Sequence, residues 1–147
     1  MLSSQDTVLN YGSFADFLAA ESDWLKPFAS FTTFKAKFKS TCWQQWPSEY
    51  QDSRQGLQIE LQGDDLDYYQ ATCFYQYLFF AQFRLLKAYA HKNGVDLMGD
   101  IPIFVAYDSA DVWAHPQLFQ LKPDGLPTAV AGVPPDYFSE DGQKWGN

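Results

Sequence analysis

Apolar residues in the first half of the chain recur three and four positions apart, the spacing of one face of a helix. Phe14, Phe17 and Leu18 share such a face over residues 14–20. Ser13 with Asp16 three residues later supplies a capping-box variant at the start of that helix. Trp24, Leu25 and Phe28 continue an apolar side, and phenylalanines at 31, 34 and 38 form a second helical stripe. Trp43 and Trp46 are again three apart, and Pro47 stops that run. Residues 48–63 are polar, with a Leu57, Ile59, Leu61 alternation too short for a strand, and read as loop.

A long helix is predicted next. Asp64 and Asp65 supply an N-cap and favourable first-turn charge, and Leu66, Cys73, Phe74, Tyr77, Leu78, Ala81, Leu85 and Ala88 recur at helical spacing. Lys87, His91 and Lys92 sit in its last turn, and Asn93-Gly94 offers a left-handed cap. The apolar run 95–100 then fits a strand entered from the helix through a minimal loop, an αβ unit. Pro102 cannot donate to a sheet ladder, so Asp100 stands at the strand's carboxyl end. In a barrel of alternating strands and helices that end gathers binding residues, which makes Asp100 a candidate; the alternative is a carboxylate capping loop backbone. Further on, residues 108–111 cap a short helix carrying Val112 and Trp113. Residues 119–121 and 128–130 flank a Pro123-Asp124-Gly125 turn as a hairpin. Residues 132–138 form a stiff loop ending in two rings, Tyr137 and Phe138.

Composition narrows the function classes. A chain of 147 residues, if one compact domain, buries roughly two-thirds of its unfolded surface. With 46% hydrophobic and 19% charged residues it is globular, and its 18% aromatic content exceeds what aliphatic packing needs. Flat rings serve either as core filling or as stacking platforms. A net charge of −8 opposes phosphate backbones and anionic lipid heads, so no nucleic acid or membrane partner is expected and the ligand is neutral. Residues 1–10 carry neither a basic residue nor an apolar signal core, which fits a cytoplasmic protein. Cys42 and Cys73 lie far apart with no CxxC, and His91 and His115 are the only histidines. Buried free thiols are expected, with no metal and no cofactor.

The segment from Gly99 to Trp113, GDIPIFVAYDSADVW, is followed by VAGVPPDYFS at 130–139 and GQKWGN at 142–147. These runs resemble the amylomaltase family, glycoside hydrolase family 77, from about Tyr68 to the end of the chain. Residues 1–67 are similar to it through their helical, aromatic-rich character and the 43–47 segment. The resemblance implies an α/β fold, a fragment of a (β/α)8 TIM barrel. Residues 1–67 would be a helical insertion subdomain and 68–147 part of the catalytic barrel.

It also implies a 4-α-glucanotransferase that moves α-1,4-glucan segments between chains by a retaining mechanism, on maltodextrins or glycogen-derived oligosaccharides. Such chemistry uses a carboxylate nucleophile and an acid/base about 5 Å apart. The family's nucleophile sits in an Arg-Ile-Asp-His-Phe-Arg-Gly type of motif. Arg54 and Arg84 are the only arginines here, and neither has an Asp two residues on. The chain thus reads as a middle fragment that binds glucan without the catalytic groups, with the rest of the barrel as a further partner. Matched to the family, Asp100 hydrogen-bonds the sugar in the cleavage subsite, while Tyr137 and Phe138 lean over the glucan between Asp136 and Ser139. Trp145 is an acceptor-side platform with Gln143 and Asn147 beside it. Trp113, Phe104 and Phe119 are assigned to core packing. Three alternatives stay open: a hydrolase of the amylase clan, a non-catalytic or decayed glucan-binding protein, and a helical interaction module accounting for residues 1–93.

Overall fold

The computed structural model describes residues 8, 9 and 11–145. A minimal hairpin, β1 (Val8–Leu9) with β2 (Gly12–Ser13), leads into α1 (Phe14–Ala20), and α2 (Ser22–Lys37) follows almost without a break. The expected capping box is present. The Ser13 hydroxyl accepts from the Asp16 N–H at 3.1 Å and the Asp16 carboxylate accepts from the Ser13 N–H at 3.1 Å.

Helix α2 joins two cores. Leu25 and Ala29 in its first half pack with Phe14, Phe17, Cys73 and Tyr77. Phe31 and Phe34 in its second half pack with Trp43, Trp46, Val112 and Trp113. The buried hydroxyl of Thr33 donates to the Ala29 carbonyl at 2.8 Å, so no polar group is stranded there. Both cores draw residues from either side of position 67. In the second, Phe34 meets Tyr50 edge-on at 4.8 Å between ring centroids and Trp113 edge-on at 6.0 Å. Such pairs add about 0.5–1.5 kcal/mol each beyond the area they bury.

Residues 48–63, expected as loop, contain two single-turn helices, α3 (Ser48–Gln51) and α4 (Ser53–Gly56). Pro47 opens α3 as its N-cap. Asp52 caps α4 by accepting from the Arg54 N–H at 2.9 Å. The long helix is α5 (Asp64–Lys92), capped by Gly63 rather than by Asp64 because Gly63 holds φ 55, where a side chain is strained. It ends as expected. Gly94 has φ 73, its N–H reaches the His91 carbonyl, and the Val95 N–H reaches the Ala90 carbonyl, the two bonds of a Schellman motif.

The strand expected over residues 95–100 does not form. That segment is irregular and exposed from Val95 through Phe104, and Asp100 therefore stands in an open loop rather than at a strand end. Its apolar side chains suit a strand, but a strand's N–H and C=O groups need a neighbour, and among the described residues none lies beside it. Order returns at Tyr107 and Asp108. Lys35 donates to Asp108 Oδ2 at 2.5 Å and to the carbonyls of Ser40 and Thr41 at 2.9 and 3.2 Å. Those carbonyls belong to a turn in which Lys39 and Ser40 have φ of 53 and 61. α6 (Ala110–Ala114) follows, capped by Ser109, and buries Val112 and Trp113.

Candidate functional site

The exposed chemistry gathers beyond residue 119. The Pro123-Gly125 turn forms as expected, closed by the Gly125 N–H on the Lys122 carbonyl at 2.8 Å, but its arms are reduced to one bridge, Leu121 with Pro127. Tyr107 anchors the turn by donating its hydroxyl to the Gly125 carbonyl at 2.5 Å. Burial pushes the Tyr107 phenol up to about 12, so it stays protonated and able to donate.

The residues singled out from sequence fall on a second hairpin, β3 (Gly132–Val133) antiparallel to β4 (Gln143–Lys144). The Trp145 N–H extends the pairing to the Ala131 carbonyl at 2.8 Å. Two glycines permit the approach. A Cβ on Gly132 would lie 2.3 Å from the Gln143 carbonyl oxygen, and one on Gly142 would lie 2.4 Å from that of Val133, with Gly142 already at φ 69. Asp141-Gly142 is a sequence signal for such a turn. Nothing in the local sequence marks Gly132.

Residues 134–142 cross between the two strands. Asp136 Oδ1 accepts from the N–H groups of Phe138 and Ser139 at 2.9 and 2.8 Å, and the Asp136 N–H reaches the Ser139 carbonyl at 2.9 Å. The Ser139 hydroxyl donates to the Gly142 carbonyl at 2.7 Å. Asp136 and Ser139 thus shape the loop. Between them Tyr137 is 96% and Phe138 90% exposed, their rings in edge contact at 5.6 Å. Trp145 donates its indole N–H to Gln143 Oε1 at 3.0 Å, so ring and amide share the return strand.

Phe104, assigned to the core from sequence, is half exposed, and its ring meets Trp145 at 5.9 Å. Its neighbours in the irregular 95–104 span give it no wall to pack against. Phe119 is partly buried beside the second core and Trp113 fully buried, as assigned. Asp100 accepts from the Ile101 N–H at 2.8 Å and makes no hydrogen bond to the hairpin among the described residues. Asn147 lies outside the described residues. An apolar cleft of about 310 Å³ lies between the 104–107 segment and residues 119–131, lined by Phe104, Tyr107, Phe119 and Leu121 among others.

Elsewhere the chemistry is quiet. Cys42 is partly buried and Cys73 buried, and burial raises both thiols. Among the described residues no group of three His, Cys, Asp or Glu is placed to hold a metal, and no helix is long and apolar enough to cross a membrane.

The 4-alpha-glucanotransferase model of glycoside hydrolase family 77 matches residues 3–147. Among curated relatives, the 4-alpha-glucanotransferase of Thermus thermophilus is 44% identical over 135 residues, covering 92% of this chain and 27% of the relative. That of Synechocystis is 44% identical over 139 residues, covering 91% and 27%. The chloroplastic/amyloplastic enzyme of Solanum tuberosum is 37% identical over 126 residues, covering 86% and 22%. The chain thus spans about a quarter of the length of the curated relatives it matches. Among solved structures, an amylomaltase from Streptococcus agalactiae in complex with acarbose superimposes with a TM-score of 0.71 at 38% identity, over 91% of this chain and 27% of that one. The helices and hairpins described above are a portion of that fold, and the chain belongs to the 4-alpha-glucanotransferase family, glycoside hydrolase family 77.

Proposed function

We propose that this chain is the glucan-gripping portion of a cytoplasmic 4-α-glucanotransferase with a (β/α)8 barrel, and that alone it binds α-1,4-glucan without transferring it. The observation that carries the reading is the Tyr137–Phe138 pair, both rings in water at the tip of a hairpin whose return strand carries Gln143 and Trp145. Sugar rings offer C–H faces to aromatics and hydroxyls to amides and carboxylates, so this alternation suits a neutral glucan. Asp100 would join the site once its segment is drawn into a sheet. The solved relative's acarbose points to the same class of ligand, maltodextrins or glycogen-derived oligosaccharides.

Residues 1–67 are then a helical insertion and 68–147 the barrel portion that bears the hairpin. The remaining barrel covers the outer face of α5, where Tyr75, Phe79, Leu86 and Tyr89 are 67, 57, 55 and 68% exposed, together with Met98, Ile101 and Ile103. Transfer rather than hydrolysis follows the relatives' activity. A purely binding role for the isolated chain follows from the missing nucleophile motif, since the rest of a covalent site only assists that step.

Two measurements on the chain test this. With maltotriose, glucose release stays at the level of a heat-killed control; release above it refutes the non-catalytic reading. Maltohexaose shifts the NMR signal of the Trp145 indole N–H, and Tyr137→Ala with Phe138→Ala weakens that binding about tenfold. An indole signal that ignores maltohexaose refutes the hairpin as a glucan site.

A further inference from the structure

Helix α5 buries one side only. Tyr69, Cys73 and Tyr77 pack into the first core and Ala81 is buried beyond them, but from there to the end of the helix only Ala90 is buried. On the opposite side Tyr68, Tyr75, Phe79, Leu86 and Tyr89 are all exposed, with Thr72 and Gln82 at the intervening positions. These positions alternate four and three residues apart, the period of a coiled-coil seam. The seam runs along nearly the whole of a helix of 29 residues, about 43 Å at 1.5 Å per residue.

The two ends of the seam carry opposite charge. Asp64, Asp65 and Asp67 stand in the first turn of α5, and Lys87, His91 and Lys92 in its last two. Asp65 is bonded to Lys37 and His91 lies 3.6 Å from Asp96, but Asp67 and Lys92 are exposed and have no ion-pair partner among the described residues. A second α5 laid antiparallel sets Tyr68 opposite the partner's Tyr89, Tyr75 opposite the partner's Gln82, and Phe79 beside its own copy. Asp67 and Lys92 share one flank of the seam at 100° per residue, and like flanks meet in an antiparallel pair, so each Asp67 faces the partner's Lys92. A parallel pair would set acid against acid and base against base. The area is sufficient as well. The chain exposes 10671 Å², whereas a compact monomer of 16.8 kDa exposes about 7,700 Å². The excess of about 3,000 Å² is well above the roughly 800 Å² that each partner buries in a stable interface.

A patch complementary to its own two-fold image fits a closed dimer in which both copies use the same surface. We propose that the outer face of α5 is a self-association surface, on which a second copy of this chain docks antiparallel, with Phe79 at the two-fold axis and Asp67 paired with the partner's Lys92 at each end. A uniformly acidic or basic partner would match one end of the seam and oppose the other, and a net charge of −8 opposes an anionic bilayer. The barrel proposed above would cover the same face, so it and the second copy exclude each other. The dimer rests on the seam and its charges, not on that reading.

Sedimentation velocity of the full chain over a concentration series reads its state directly, and a monomer–dimer equilibrium in the micromolar range is expected. Phe79→Glu brings two carboxylates together at the axis. Because that side chain is exposed, the circular dichroism stays as in the parent while the dimer dissociation constant rises at least about tenfold. Asp67→Lys alone and Lys92→Asp alone each weaken the dimer about threefold or more, and the two combined recover most of it, since the pair is then reversed rather than broken. A chain that stays monomeric across that range, an association that grows past two copies, a dimer indifferent to Phe79→Glu, or a charge swap no tighter than its separate halves each overturns the proposal. The hairpin reading is judged apart from this one, by the Trp145 indole signal with maltohexaose. A monomer whose Trp145 responds leaves the hairpin standing, and a dimer whose Trp145 does not respond leaves the dimer standing.

Discussion

Replacing Gly56 by alanine should destabilise the chain, against the rule for helices. Gly56 closes α4, its φ is not in the left-handed region, and alanine in a helix is ordinarily more stable than glycine by about 1 kcal/mol. Here the added Cβ would lie 2.8 Å from Cζ2 of Trp113 and 3.4 Å from Cε2 of Phe34. The indole cannot swing away. It is 1% exposed, its N–H is held by the Tyr50 carbonyl at 2.8 Å, and Phe31, Phe34 and Trp46 surround it at ring separations of 5.9, 6.0 and 6.4 Å. Overpacking of this kind costs about 1–3 kcal/mol, and a single-turn helix returns only part of the propensity gain. A net loss of about 1–2 kcal/mol results. Trp113→Phe removes the six-membered ring that carries Cζ2, and it is costly by itself, since it empties a cavity and strands the Tyr50 carbonyl. In that background Gly56→Ala should become nearly neutral, a coupling of about 1 kcal/mol or more between the two sites. Urea unfolding of the four proteins of this cycle, followed by far-ultraviolet circular dichroism, measures it. A Gly56→Ala midpoint above the parent's, or additive effects in the double variant, would refute the clash.

Two further outcomes follow from local geometry. Gly142→Ala should open the β3–β4 hairpin, because the residue is left-handed and its Cβ would strike the Val133 carbonyl; the Trp145 N–H then loses hydrogen-exchange protection while the melting temperature hardly moves. Three carboxyls are held below their ordinary range: Asp16 by hydrogen bonds from Ser13, Glu21 by those from Tyr11 and Trp24, and Asp52 by those from Arg54. Their folded values lie under the unfolded ones. Their contribution is therefore full above about pH 5 and is lost as pH falls through the folded values. Combining Asp16→Asn, Glu21→Gln and Asp52→Asn should flatten the acid limb of stability against pH, and an unchanged slope would show that other groups govern it.

The helices were legible because each signal is local. Ser13 with Asp16, the stripe at Phe31 and Phe34, and Asn93-Gly94 after a long periodic run each name their own hydrogen bond or buried face, and each forms as read. The misses have a local cause too. Residues 48–63 looked like loop because their two helices are one turn long and carry no periodicity; distant parts of the chain hold them, α4 at Gly56 against Trp113 and Phe34 and α3 through Tyr50 against Phe34. Gly63 displaced Asp64 as N-cap because a positive φ at the junction outweighs a side-chain cap.

The segment 95–100 failed for the opposite reason. Its apolar composition reports what covers it in a sheet, but a strand consists of bonds to other strands, and composition cannot supply those. The same division runs through the site. Asp136 and Ser139 find their partners within four residues, so the loop takes shape without help and presents Tyr137 and Phe138 to water. Asp100 depends on a ladder that the described residues do not provide, and its carboxylate turns to the neighbouring N–H. The β3–β4 hairpin therefore carries its own geometry within the chain, while the position of Asp100 would be set by a strand pairing with residues 95–100. Under the proposed function, a site divided in this way would grip sugar through its self-sufficient half first. The register of the other half is what would bring a carboxylate within reach of the same ring.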